Sequence, residues 1–426
     1  MVTALRDDAV RGEATMIENP AQPRTAAPAR LGRLGPLLGG LHLGWSLPSA
    51  AAGTLLQALL AQRLGDGKVG ALAVITTAGA VVAIAGTVVA GAWSDRTRSR
   101  FGRRNPWILG GAVASAAGLA LTGVLTWLPA QIVAFALFQG GLNAMLAAAG
   151  ALLPDRVAGS ALGKASAFAG GGYLVGTAIG GVAASAAITA PAWGLVIVPW
   201  TMVAAALALV LLVREGSSLG LPREAASVRA VLRSLLPPRD RDFLLAFTGR
   251  FCVVLGLTVV VFYQLYVFTD FLGTGTVAAA GHIALGTVLL AVTALITAAG
   301  GGVLSDRLGR RKPLVVLASL LIAAAAVPVT LAPGVGTLMA FYVVAGAGYG
   351  LYLSVDAALM VEVLPSTGAE AKELGMLSVA NSAPSVVAPV VAAGLVTGFG
   401  FHALFGFTIV IAVAGGLCVA AIRRVR

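Results

Sequence analysis

Charge is scarce in this chain. Asp, Glu, Lys and Arg make up 11% of its residues, against about 25% in soluble domains. Acids are the scarcer sign, 17 against 29 basic residues, which leaves a net charge of +12. Cysteine is rarer still. Cys252 and Cys418 both lie inside apolar runs without a CxxC spacing, which argues against a disulfide or metal framework. The three histidines, His42, His282 and His402, are far apart and show no metal-ligand spacing. No nucleophile elbow or phosphate loop stands between a strand and a helix, so the sequence does not point to an enzyme.

What the chain has instead is apolar length. Hydrophobic residues account for 58% of it, in runs close to the ~20 residues that a helix needs to cross a bilayer. The expectation is an all-α membrane protein with twelve transmembrane helices: 34–61, 69–93, 106–128, 130–153, 162–186, 193–213, 243–269, 279–303, 313–331, 335–361, 374–397 and 401–421. Many spans are rich in Gly and Ala, which lets helix backbones approach closely where lipid supplies no hydrophobic drive. Residues 1–33 read as a disordered polar tail, with acids at Asp7, Asp8, Glu13 and Glu18 and no apolar signal core. A second polar stretch, 214–241, carries Pro222, Pro237, Pro238 and five arginines from 223 to 241. It reads as a linker between an N-terminal half, 34–213, and a C-terminal half, 242–426.

The two halves share a basic loop. Gly91-Ala92-Trp93-Ser94-Asp95-Arg96 leads to Gly102-Arg103-Arg104-Asn105-Pro106, and Gly302-Val303-Leu304-Ser305-Asp306-Arg307 leads to Gly309-Arg310-Arg311-Lys312-Pro313. Gly91 and Gly302, Asp95 and Asp306, and the pairs Leu153-Pro154 and Leu364-Pro365 are each 211 residues apart. The chain therefore reads as two tandem copies of one six-helix unit. Asp95, Arg96, Arg103, Arg104, Asp306, Arg307, Arg310 and Arg311 are candidates for a paired cytoplasmic gate. Lys and Arg gather on the side that holds both termini, both loops and the linker, while Arg63 and Lys68 stand on the other. The positive-inside rule then puts both termini in the cytoplasm of a cell with the chain in its inner (plasma) membrane. The net charge thus needs no nucleic-acid partner.

Polar side chains inside the spans mark a path, because hydrocarbon penalises them unless they face water or one another. They fall on helices 1, 4, 7 and 10: His42, Trp45 and Gln57; Gln139 and Asn143; Tyr263, Gln264, Tyr266 and Asp270; Tyr349, Tyr352 and Asp356. Gln139 and Asn143 are spaced i, i+4, and Tyr349, Tyr352 and Asp356 i, i+3, i+7, so each set shares a helix face. All of these except Tyr266 and Asp270 are candidate substrate contacts. Asp356, the acid deepest in a span, is the first candidate for a protonated coupling group, with Asp270 and Glu362 behind it.

Twelve spans, two halves and the Gly-x-x-x-Asp-Arg…Gly-Arg-Arg loops resemble the major facilitator superfamily from about residue 34 to 421. Thr97-Arg98-Ser99-Arg100-Phe101-Gly102 with Pro106-Trp107-Ile108-Leu109 narrows the resemblance to the glycoside–pentoside–hexuronide cation symporters and the sucrose–proton symporters. Gly44-Trp45-Ser46-Leu47 with Gln57, 354–359, Lys372-Glu373-Leu374-Gly375 and Ala388-Pro389 are similar to the same branch. The resemblance implies the major facilitator fold and secondary transport of a sugar or glycoside-like small molecule by alternating access. It also implies a monomer in the bilayer, with no cofactor. Two departures bear on the coupling ion. Where melibiose-type carriers place cation-binding acids, this chain has Ala83 and Thr87, so a sodium site is not expected and a proton is. Where sucrose carriers place an Asp and an Arg around the helix 4 Gln-Gly, it has Ile132 and Asn143. An alternative, a proton-driven efflux antiporter for hydrophobic compounds or drugs, draws on Gly163, Gly172 and Gly176-Thr177-Ala178-Ile179-Gly180-Gly181, which are similar to an exporter signature.

Overall fold

The computed structural model describes residues 32–156, 159–213, 215–220, 240–363 and 370–423. Among these there is no strand. The first half contains α1 (Leu34–Leu64), α2 (Lys68–Arg96), α3 (Asn105–Val124), α4 (Leu128–Arg156), α5 (Gly159–Ala186) and α6, in two pieces (Pro191–Ile197 and Trp200–Leu212). The second half contains α7, which runs as Arg241–Phe262, breaks at Tyr263, and continues through Gln264–Tyr266 into a π-helical turn, Val267–Phe271. It is completed by α8 (Thr276–Leu308), α9 (Lys312–Leu331), α10 (Val335–Val363), α11 (Glu370–Phe399) and α12 (His402–Ala420). Helices are what an apolar chain must form here, since hydrocarbon offers no partner for an unbonded N–H or C=O.

Ten described segments are long and apolar enough to cross a membrane, one of them holding both α1 and α2, and the apolar part of α11 is shorter. The twelve spans and their pairing into halves therefore stand. Gly102 and Gly309, at φ 91° and 57°, make the left-handed turns of the two basic loops, a conformation in which a side chain is disfavoured. Pro106 and Pro313 then occupy the first turn of the next helix, where a missing N–H is harmless. The second loop is shorter. The offset of 211 at Asp95 and Asp306 falls to 207 at Pro106 and Pro313, and α4 and α10 begin at Leu128 and Val335. Leu153-Pro154 lies within α4, and Leu364-Pro365 lies outside the described residues.

Within the first half α1 packs on α5, and α4 on both α2 and α3; in the second half α10 packs on α8 and α9, and α12 on α7 and α9. The halves meet along α5 with α8 and along α2 with α11. Glycine makes these approaches close. A Cβ on Gly172 would run into the Gly39 carbonyl of α1, and others on Gly176 and Gly180 would meet Ser46 and Leu47 of the same helix. The glycine series of α5 that resembles an exporter signature is thus the surface on which α1 lies.

The start of the linker clasps the first basic loop. Glu215 Oε2 accepts from the backbone N–H groups of Arg104 (2.8 Å) and Asn105 (3.0 Å), at the positive N-terminus of α3. Ser218 is buried, and its N–H and hydroxyl bond to Ser99 and Thr97.

Contact at Gly172 and open space at Gly170 make a paired test. Gly172→Leu is expected to lower stability by about 1–3 kcal/mol through overpacking, while Gly170→Leu leaves it unchanged. Thermal unfolding in one detergent reads both, and equal effects would remove the packing role given to this surface.

Candidate functional site

Polar contacts join the halves at the end opposite the basic loops. Lys68, which opens α2, forms an ion pair with Asp270 of α7 at 2.7 Å and lies over the Tyr266 ring. The Tyr266 hydroxyl donates to the Gln57 carbonyl (3.0 Å), and Gln57 Oε1 accepts from the Leu265 N–H (3.0 Å). Gln264 donates to the Thr54 hydroxyl and accepts from Tyr342, while the Tyr263 hydroxyl donates to the Val69 carbonyl. The break and π turn of α7 are what bring Tyr263 to Asp270 against α1 and α2. Burial along α2 follows the same polarity. Ala71, Leu72, Ala73, Ile75, Thr76, Gly79 and Ala80 are buried, whereas none of residues 81–89 is. The seam is closed at this end and widens toward the basic loops.

In the basic-end half of the bundle a second group of side chains converges. Arg250 of α7 and Asp356 of α10 form an ion pair at 3.1 Å, with side chains 13% and 5% exposed. Asp356 and the Tyr352 hydroxyl are buried beside one another, and neither Asp356 Oδ1 nor that hydroxyl has a further partner. Tyr352 stacks on Tyr349 with centroids 6.4 Å apart and 17° between planes. From the first half, Trp45 packs on Tyr173 of α5 at 5.5 Å and edge-on to His42 at 6.1 Å. Trp45 Nε1 is likewise buried without a partner, and His42 Nδ1 bonds the Leu38 carbonyl at 2.9 Å. Both sets lie between the middle of their helices and the basic-loop end.

The sequence-derived candidates therefore divide by place. His42 and Trp45 cluster with Tyr173 in the first half, and Tyr349, Tyr352 and Asp356 with Arg250 in the second. Gln57, Tyr263, Gln264 and Asp270 belong to the closed end, where hydrogen bonds or the Lys68 pair engage them. Gln139 and Asn143 lie at the α2–α4 contact, where Asn143 bonds the Gln139 carbonyl (2.9 Å) and the Thr87 hydroxyl (3.3 Å). Of the gate residues, Asp95 pairs with Arg104 of its own loop at 2.6 Å, and Arg104 also bonds Ser94. Arg96, Arg307 and Arg310 are exposed, and Arg103 and Arg311 are half-buried. The side chains of Asp306 and Glu362 lie outside the described residues.

Two residues of these clusters were missed by the sequence reading. Arg250 was visible as a cation well inside an apolar run, a position that by itself marks a partner or a path. Tyr173 stood on helix 5, off the one-in-three pattern, in a helix whose glycines drew attention to packing.

Two bundles of helices meeting on a seam that holds buried polar groups define a membrane carrier. A family model described as Major Facilitator Superfamily matches residues 38–300 and 282–426. The chain belongs to the major facilitator superfamily, a family of membrane transporters. Solved structures share the fold at low identity. A D-xylose-proton symporter matches with TM-score 0.67 and 18% identity, over 91% of this chain and 96% of that one. A POT family transporter in complex with a thioalcohol-conjugated peptide matches at 0.70 and 14%, over 91% and 95%. A bacterial homologue of the human lysosomal transporter Spinster, inward-facing and occupied, matches at 0.65 and 14%, over 93% and 95%. No curated protein matches the chain in sequence.

Breaking a buried ion pair on one side strands the other charge, at about 3–5 kcal/mol, while replacing both partners by apolar groups is close to neutral. Arg250→Met is therefore expected to lower the melting temperature strongly. Arg250→Met with Asp356→Leu should recover most of that loss without recovering transport. A double variant no more stable than the single one would mean that the two charges are not coupled.

Proposed function

We propose that the chain is a proton-coupled transporter of a sugar or glycoside-like small molecule, working by alternating access between its halves. The observation that carries this reading is the buried Arg250–Asp356 pair beside Tyr352 and Tyr349, with Trp45 and Tyr173 packed together in the first half. The pair itself adds no net charge, which suits an uncharged substrate. Trp45 Nε1 offers a donor, Asp356 Oδ1 an acceptor and the Tyr352 hydroxyl either, the complement of a ligand with several hydroxyls. The rings of Trp45, Tyr173 and Tyr349 supply apolar faces for a sugar ring. A proton on Asp356 would remove the anion that holds Arg250, leaving the cation to a substrate oxygen.

On this reading the basic loops, the linker and both termini face the cytoplasm of a cell whose inner membrane holds the chain. The described conformation is then the inward-facing one, and Lys68, Gln57 and α7 from Tyr263 to Asp270 form the closed external gate. The Asp95 and Asp306 loops would be the cytoplasmic counterpart, engaging when that side closes. The glycines of α5 lend export no specific support, since α1 packs on them.

Two measurements test these statements. Asp356→Asn imitates the protonated group, so proteoliposomes carrying it should keep substrate exchange and lose accumulation driven by a proton gradient. Gradient-driven accumulation that survives in Asp356→Asn would overturn the coupling role, and loss of exchange as well would make Asp356 a substrate ligand instead. For orientation, single cysteines replacing the exposed Ser217 and Thr276 should react with an impermeant thiol reagent from opposite faces, Thr276→Cys from outside intact cells. Reaction of both from one face contradicts the topology.

A further inference from the structure

A groove of about 420 Å³ lies between α3 and α4, lined from Pro106 to Ala114 on one side and by Gly140, Gly141 and Ala144 on the other. Helix α3 packs on α4, on both pieces of α6 and slightly on α1, whereas the other half is met by α2 and α5. The groove is thus on the outer flank of the half, where the surrounding medium is the bilayer.

The fold does not require this groove. With the register of 207 residues, Gly110, Ala114 and Ala144 correspond to Leu317, Leu321 and Leu351 in the second half. The correspondence is spatial as well: a Cβ on Gly141 would meet the Gly111 carbonyl, as one on Gly348 would meet that of Ala318. Three leucines thus stand in one half where small residues stand in the other.

Charge and aromatic groups gather at the mouth of the groove. Trp107, in its lining, meets Trp93 edge-to-face at 6.2 Å. Trp93 and Phe101 are 54% and 61% exposed, as aromatic anchors at a membrane interface are. The loop that runs into Pro106 carries Arg96, Arg98, Arg100, Arg103 and Arg104, and the exposed Arg100 lies over the Phe101 ring at 5.1 Å.

We propose that this groove holds one acyl chain of an anionic phospholipid, whose phosphate headgroup lies on the first basic loop. Basic pockets beside membrane helices recognise anionic headgroups by charge, and the groove supplies the apolar half of the site. From Pro106 to Ala114 it reaches about 12 Å into the hydrocarbon at 1.5 Å per residue, a depth that takes the upper part of a chain. The site is separate from the seam and does not depend on what substrate is carried.

The full-length chain, purified in a neutral detergent, is titrated with dioleoyl phosphatidylglycerol or dioleoyl phosphatidylcholine. Thermal unfolding and lipid retained in native mass spectrometry are read for each. The parent is expected to retain phosphatidylglycerol several-fold better and to melt several degrees higher with it. Gly110→Leu, whose side chain enters open space, should lose retention of phosphatidylglycerol. Arg100→Gln should lose the preference for it while keeping the protein's own stability. Equal retention of the two lipids by the parent, or parent-like retention in Gly110→Leu, would overturn the proposal. A preference undiminished in Arg100→Gln would overturn the role of the loop as the headgroup site.

Discussion

Hydrocarbon does not solvate charge, and that constraint arranges nearly every polar group described. Charges at the ends of helices are cheap, because water and headgroups reach them, and they set topology through their asymmetry. A charge in a span must be paired or face water. Arg250 and Asp356 meet this requirement together. The pair links α7 to α10 inside the second half. A buried ion pair is weak evidence for stability when set against apolar residues of equal volume. Its presence in a span that could have been wholly apolar is better explained by what its opening allows.

The fold was legible from the sequence because its signals are long-range and redundant. Twelve apolar runs, the repeated basic loop and the asymmetry of Lys and Arg agreed with one another, and the helices end within a few residues of the runs. Register was less legible. The offset of 211 at Asp95 and Asp306 falls to 207 at Pro106 and Pro313, and the helix starts of α4 and α10 follow the second value. The site was half legible. Spacing put Tyr349, Tyr352 and Asp356 on one face correctly, because i, i+3, i+7 is a property of the helix itself. Spacing could not say that Gln57 and Gln264 meet each other's helices at the closed end. That depends on the break at Tyr263, which no local pattern announced. Arg250 has no spacing partner on its own helix, so its isolation in an apolar run is the one signal the sequence carries for it.

The halves share an architecture and divide the labour. The acid of α4, Asp155, stands at its last turn, whereas α10 places Asp356 deeper. The first half contributes aromatic surface through His42, Trp45 and Tyr173, and the second contributes charge and hydroxyls. Outside the seam the difference reverses: the second half fills its α9–α10 flank with leucine, and the first leaves its α3–α4 flank open beneath a richer basic loop. Duplication supplies two equivalent frames, and each difference between them marks a position released from symmetry.

The closed end bears on how such a frame can move. Its contacts are mostly neutral hydrogen bonds, each worth about 0.5–1.5 kcal/mol net, with one partly exposed ion pair, Lys68–Asp270, of a kind worth about 0–1 kcal/mol. Four bonds from Tyr263, Gln264, Leu265 and Tyr266 to the first half, together with that pair, then sum to only a few kcal/mol. Inverting a two-state population from one side to the other takes about 5.5 kcal/mol of differential binding, so an end held this way remains within reach of what ligand binding can supply. A deeply buried ion pair bridging the halves would be different, since separating it would strand two charges in hydrocarbon. The chain places its buried pair inside one half and joins the halves with bonds that water can replace, which is the arrangement a seam that must open and close requires.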